Sequence, residues 1–267
     1  MKVLVTDVDG TIMENGYINR NVRFSFDKLK EHGWIIILAT ARIFQTSLNV
    51  IKAIEPYKYC IFSDGAQIYN INTGQVIHEL NMDVASAHSV ISKVWDLPLE
   101  IQLFARDIVF VRVNDRRSRS FFNNFDMEVR TDLSIETVRA IQPVHIMLYG
   151  DTSVLRSARD IIQRDTSSIA TEIKTIWAGE NFLDILPSGT SKANAFLAMM
   201  EQMEMKPQVV VSVGDHLNDL EMMMISDLSV CPSSAIADIK NIADMEFSDD
   251  PVTGIPGLVD ILIERFA

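Results

Sequence analysis

Two short segments carry carboxylates at spacings that could hold a hard metal ion: Asp7-Val8-Asp9-Gly10-Thr11 and Gly214-Asp215-His216-Leu217-Asn218-Asp219. Each follows directly on an apolar run, Val3–Val5 in one case and Val209–Val213 in the other. Residues two apart in extended chain point the same way, which sets Asp7 and Asp9 toward one space. Gly10 lets the chain turn sharply beside them. A third run, Ile35–Ala39, ends in Thr40-Ala41-Arg42 and offers a hydroxyl and free amides at a helix start. Taken singly, DVDGT reads as readily as a solvated turn, and GDHLND as a helix cap. Taken together, acidic loops at the ends of two buried runs and a Thr at a third fit one site better than three independent turns. Two carboxylates ~4 Å apart repel by about 4 kcal/mol at an effective dielectric near 20, so a cluster of three calls for a cation. Oxygen ligands without a His or Cys cluster point to Mg²⁺ rather than Zn²⁺.

These segments need a frame that brings strand ends together. The runs Val3–Val5, Ile35–Ala39, Cys60–Phe62 and Val209–Val213 lack apolar/polar alternation, as expected of strands covered on both faces in a parallel sheet. Helical patterns lie between and after them: Asn21–His32 with Gly33 as its stop, a segment from Arg42 to Ile54, then Thr190–Met203, Leu217–Met224, Ser234–Ala243 and Gly257–Phe266. Open sheets of this kind form their sites at the carboxyl ends of the strands. The middle of the chain differs. A hairpin over Gln67–Asn70 and Gln75–Leu80 precedes a helix over Asp83–Trp95 and strands over Glu100–Phe104 and Ile108–Val113. A helix–strand unit over Val144–Arg164 and strands near Ile169–Trp177 and Phe182–Leu186 return the chain. The expectation is an α/β chain: a Rossmann-like, doubly wound parallel-sheet core in two parts, 1–81 and 185–267, with an α+β domain inserted over 82–184.

Composition excludes several classes. Lys and Arg number 24 against 36 Asp and Glu, a net charge of −12. With this balance no basic face for nucleic acid is expected, and anionic membrane surfaces are disfavoured for the same reason. An anionic ligand would need a bound cation to supply local positive charge. The two cysteines, Cys60 and Cys231, sit apart in apolar settings and read as small buried hydrophobes. The apolar start breaks at an aspartate too early for a signal peptide, and no stretch is long and apolar enough to cross a bilayer. A cytoplasmic location is expected.

DVDGT, the Thr40 strand end, Lys192 in PSGTSK and GDHLND stand in the order of the four motifs of the haloacid dehalogenase superfamily. With the insert between the second and third motifs, the whole chain resembles the Cof-type phosphatases (class IIB), whose cap is an α/β domain. Alone, Lys192 would read as a solvated lysine at a helix start, and PSGTSK does not fit the nucleotide P-loop. The resemblance implies Mg²⁺ and phosphoryl transfer through an aspartyl-phosphate. It implies Asp7 as nucleophile and Asp9 as acid for the departing alcohol, then base for water. Asp7, the backbone carbonyl of Asp9, and Asp215 would hold the metal. Gly10, Thr40, the Ala41 amide, Lys192 and Asn218 would bind the phosphoryl oxygens. Asp219 would position Lys192 or a metal-bound water, with Arg42 supporting from outside.

Two positions depart from the family pattern. Ala41 stands where Gly is usual, at a cost of roughly 1 kcal/mol if that position needs positive φ. Asp64-Gly65-Ala66 stands where Asn-Gly-Ala is common, and the acidic residue there either serves the turn or disfavours a second anionic group on the substrate. The expected activity is hydrolysis of a small phosphate ester, of the sugar-phosphate class. A phosphomutase or phosphotransferase using the same intermediate, and a non-catalytic phosphoryl-ligand binder, are the alternatives. Substrate choice is assigned to the insert, where Arg106, Arg112 and Trp177 are candidates for contact unless packing or exposure explains them.

Overall fold

The computed structural model describes residues 1–13, 16–123, 125, 127–164, 172–250 and 253–267. The chain divides into two units, Met1–His78 with Ser191–Ala267, and Glu79–Thr190. The second unit extends a few residues beyond 82–184 at each end.

The first unit begins with β1 (Lys2–Thr6), α1 (Arg20–Glu31), β2 (Trp34–Leu38) and α2 (Leu48–Ile54). The Asn19 side chain caps α1 by accepting the Asn21 amide, and Val22, Phe26 and Leu29 line its buried face. The helix expected from Arg42 starts only at a 3₁₀ turn over Gln45–Ser47, because the preceding residues form the loop that serves the site. After β3 (Tyr59–Phe62) come the hairpin strands β4 (Gln67–Asn70) and β5 (Gln75–Glu79). Cys60–Phe62 is not a full member of the parallel sheet. It pairs antiparallel with β4 and meets the β2 side only through an Ala39–Ile61 bridge.

The second unit contains α3 (Val84–Val94), β6 (Glu100–Ala105), β7 (Ile108–Val111), α4 (Arg116–Phe122), β8 (Glu128–Arg130) and α5 (Ile135–Val138). It continues through β9 (His145–Tyr149), α6 (Thr152–Gln163), β10 (Ile173–Trp177) and β11 (Phe182–Pro187). Residues 169–171 of the strand expected near Ile169–Trp177 lie outside the described residues. Six strands run in the order β10-β11-β9-β6-β7-β8, antiparallel except for β7 with β8. One face, including Ile101, Leu103, Ile146, Leu148, Leu183 and Ile185, packs on α3 and α6. Arg112 is engaged here, on Asp115 and the carbonyls of Trp95 and Leu99, while Arg106 pairs with Glu79 and Trp177 packs against this core.

The chain then returns with α7 (Lys192–Gln202), β12 (Val209–Val213), α8 (Leu220–Met224), β13 (Leu228–Pro232), α9 (Ala237–Lys240), β14 (Met245–Phe247) and α10 (Gly254–Arg265). The Leu217–Met224 helix opens with a 3₁₀ turn over Leu217–Asp219, and that expected over Ser234–Ala243 shortens to α9. The sheet order is β14-β13-β12-β1-β2, all parallel. Alternation along the strands builds two cores. Leu4, Ile36, Leu38, Val211 and Val213 face α1 and α10, whereas Val3, Val5, Ile37 and Val210 face Phe196, Met199 and Met200 of α7. This double cover explains the continuous apolar runs, since each fully buried aliphatic side chain contributes about 1.5–3 kcal/mol. From β1 the chain moves to β2 on one side, and from β12 to β13 and β14 on the other. The order therefore reverses between β1 and β12, which is where doubly wound sheets open a crevice. Among the described residues no helix is long and apolar enough to cross a membrane.

Candidate active site

Register brings the motifs level. Thr6 is opposite Leu38 and Val213, so Asp7, Ala39 and Gly214 leave their strands at one edge. The ladder continues for one more step: the Asp7 amide donates to the Val213 carbonyl at 2.9 Å, and the Ala39 amide to the Thr6 carbonyl at 2.9 Å. Lys192 opens α7, whose N-cap is Ser191, its hydroxyl accepting the Asn194 amide. The helix start carries the lysine inward, and its side chain is only 1% exposed.

Lys192 Nζ lies 2.6 Å from Asp7 Oδ1 and 2.6 Å from Asp219 Oδ1. The other oxygen of Asp219 accepts the amides of Asp215 at 3.0 Å and His216 at 3.1 Å, which folds the GDHLND loop back on itself. Thr11 Oγ1 donates to Asp215 Oδ1 at 2.9 Å and ties the first motif to the fourth. Burial pushes the Asp7 carboxyl well up, and the charges of Asp219 and Asp215 add to it against the opposing pull of Lys192. Asp215 is pushed up by burial and then by Asp219. Burial alone would lower Lys192, yet Asp219, Asp7 and Asp64 outweigh it and hold the ammonium above the usual lysine range.

Asp7, Asp215 and Asp219 can each bring one carboxylate oxygen within 4.8 Å of the others. With Lys192 as the buried counter-charge, the three carboxylates and one ammonium leave the group with net negative charge. An oxygen-only donor set of this charge fits Mg²⁺. Gly10 leaves the necessary room: its φ is +77°, and a Cβ there would stand 2.5 Å from Asp215 Oδ2. Gly10→Ala should therefore both strain the turn, by roughly 1 kcal/mol or more, and displace Asp215. A Mg²⁺ titration of activity should show a weaker apparent affinity in this variant, and an unchanged midpoint would refute the role given to Gly10.

Asp9 stands apart from this cluster. Its side chain is 53% exposed and is forked by Arg42, with Nε to Oδ2 at 2.6 Å and Nη2 to Oδ1 at 2.8 Å. That hydrogen-bonded pairing raises the Arg42 guanidinium further. Thr40 Oγ1 accepts the Arg42 amide at 3.2 Å. Ala41 is absent from the left-handed region, which among the described non-glycine residues holds Glu55, Ser63, Asp64, Arg106 and Glu204. The alanine in place of the usual glycine therefore carries no backbone penalty. Asn218 turns its side-chain amide to Asp64, Nδ2 to Oδ1 at 2.8 Å. Asp64 does serve a turn, at φ +53°, and this second contact is not readable from sequence. Thr11 is the other residue that the assignment of roles by sequence leaves out, although it stands inside the DVDGT motif.

A family model described as haloacid dehalogenase-like hydrolase matches residues 4–256. The chain belongs to that family. Its α+β insert between the Thr40 and Lys192 motifs is the Cof-type arrangement, and as a family member it is an enzyme of the phosphatase kind. YxeH of Bacillus subtilis (strain 168) is 22% identical over 272 residues, covering 98% of each chain. The HMP-PP phosphatase of Citrobacter koseri is 22% identical over 220 residues, covering 81% of this chain and 78% of its own. Among solved structures, the HAD subclass IIB sugar phosphatase BT4131 superposes with a TM-score of 0.80 at 17% identity, over 98% of this chain and 99% of that one. This haloacid dehalogenase-like hydrolase thus shares its fold with a sugar phosphatase across both units.

Proposed function

We propose that the chain is a Mg²⁺-dependent phosphomonoesterase for a small phosphorylated metabolite of the sugar-phosphate class, working through an aspartyl-phosphate on Asp7. The observation that carries this reading is the cluster of Asp7, Asp215 and Asp219, two of them paired with the buried Lys192, at the topological switch of the sheet. The sugar phosphatase named among the structural relatives supports the substrate class.

Asp7, the Asp9 backbone carbonyl and Asp215 would hold Mg²⁺, which supplies the positive charge that lets a carboxylate approach a phosphoryl dianion. Lys192, Gly10, Thr40, the Ala41 amide and Asn218 bind the phosphoryl oxygens. An Asp7 oxygen attacks phosphorus, the bond from phosphorus to the alcohol oxygen breaks, and Asp9 delivers a proton to that oxygen. Asp9 then takes a proton from water, whose oxygen attacks phosphorus and releases Asp7 with inorganic phosphate. The sum is ester plus water to alcohol plus phosphate. Arg42 grips both Asp9 oxygens in the structure and must free one of them for the proton transfer, and Asp219 holds Lys192. These groups grip what every phosphate ester shares, so choice among esters falls to the insert.

A panel of phosphorylated sugars should release phosphate to water with Mg²⁺, lose that activity in excess EDTA, and regain it when Mg²⁺ is restored. Ca²⁺ should inhibit, because its larger and looser coordination suits the site poorly. Full activity in EDTA would remove the metal from the reading, and release only to an added acceptor would make the enzyme a phosphotransferase. Asp9→Asn should slow sugar phosphates far more than p-nitrophenyl phosphate, whose leaving group needs little protonation, by about 10²-fold against a few-fold. Equal losses on both would mean that Asp9 is not the acid.

A further inference from the structure

Three of the segments assigned to the phosphoryl group meet on one turn, Ser63–Gly65. The Asp64 amide donates to the Thr40 carbonyl at 3.0 Å, and the Ser63 amide to the Arg42 carbonyl at 2.8 Å. A Cβ on Gly65, at φ +102°, would overlap the Ser191 carbonyl, one residue before Lys192. The third connection is the side chain of Asp64, which is 2% exposed and accepts from Asn218 Nδ2. Both Ser63 and Asp64 hold left-handed backbone, at φ +51° and +53°.

An asparagine side chain has two nearly identical ends, one donating and one accepting, and only its partners decide which way it faces. An ionised carboxylate accepts and never donates. Asp64 therefore admits only one orientation of the Asn218 amide, with nitrogen toward the carboxylate and its second hydrogen left for another acceptor. An amide at position 64 could donate or accept, and would leave Asn218 satisfied either way round. Phosphoryl oxygens are acceptors, so the orientation matters: the flipped amide would set an oxygen against them. The charge of Asp64 also reaches Lys192 and helps keep that ammonium protonated.

We infer that Asp64 is a positioning residue, whose carboxylate locks the Asn218 amide in the orientation that presents an N–H to the phosphoryl group. This rests on the reading above that Asn218 binds a phosphoryl oxygen. The substitution of Asp for the Asn common at this place in the family is then a functional feature of the turn.

A double-mutant cycle tests it. Asp64→Gly keeps the left-handed turn and removes the carboxylate, and Asn218→Ala removes the amide. Each should weaken kcat/KM for p-nitrophenyl phosphate with Mg²⁺ by about tenfold, chiefly through KM, and the pair together should lose little more than either alone. Calorimetric binding of inorganic phosphate should follow the same pattern. Asp64→Asn, which retains an acceptor, should recover part of the loss, to within about threefold of wild type. Melting curves establish that each variant is folded, and Asp64→Asn, which tolerates the left-handed turn, replaces Asp64→Gly in the cycle should the latter fail. Losses that multiply in the double variant, or wild-type kinetics for Asp64→Gly, would overturn the inference alone. A wild-type protein that neither hydrolyses the ester nor binds phosphate would overturn the phosphatase reading, and the inference with it.

Discussion

Asp7→Asn should lose at least about 10³-fold in kcat, because it removes the proposed nucleophile while keeping size and shape. The variant should also fold. The wild-type carboxyl is pushed up by burial and by Asp219 and Asp215, so its ionised form opposes folding when no metal is present. For a carboxyl raised in the folded state, the folded chain binds the extra proton, and stability falls as pH rises from the ordinary carboxylate range through the raised value. Without metal, Asp7→Asn should thus melt no lower than wild type, and its relative advantage should grow as pH rises above the ordinary carboxylate range. Thermal melts in EDTA across that rise check the sign, and turnover by the purified variant near the wild-type rate would end the proposed mechanism.

Lys192→Ala carries the second large effect, on stability as well as rate. It removes a buried cation that contacts two carboxylates at 2.6 Å, and leaves Asp7, Asp215 and Asp219 together with no counter-charge among them. Breaking a buried pair from one side costs about 3–5 kcal/mol, because the partner charge stays behind without compensation. The expected result is a much lower melting temperature in EDTA, partly recovered by Mg²⁺. In folded protein, both a higher KM and a lower kcat are expected, since in the proposed mechanism the ammonium would face the phosphoryl group in ground and transition states alike. An unchanged kcat/KM would show that PSGTSK does not contribute the cation of the site.

Much of this was legible because the central strands are buried on both faces. Val209–Val213 and Val3–Val5 announce themselves as unbroken apolar runs, and the carboxylates that follow them fall at strand ends by necessity. The parts that escaped have weaker local signals. The β13 strand is LSVCP, a five-residue run with a serine and a terminal proline, and β14 is only three residues long. The α4 helix reads RRSRSFF, with no apolar period to find. The Arg42–Asp9 and Asp64–Asn218 bonds join residues 33 and 154 positions apart, so no local pattern could pair them. The Asp219–Lys192 pairing was readable through the resemblance, whereas the Arg42–Asp9 and Asp64–Asn218 pairings were not.

The adjacency of β1 and β12 sets a schedule for the chain's synthesis. The two central strands of the sheet, Lys2–Thr6 and Val209–Val213, are separated by some two hundred residues and by the whole insert. At about 5–20 residues per second a ribosome leaves β1 waiting roughly 10–40 s for its neighbour. During that interval one side of β1, with its apolar Val3–Val5 run, has unpaired amides and carbonyls, the kind of edge that recruits foreign strands. The insert has its own hydrophobic core and becomes available well before β12, so it can fold while the nascent N-terminal segment remains open. Asp7, the proposed nucleophile at the end of β1, is therefore made before the insert, whereas Lys192 and the second carboxylate loop are made after it.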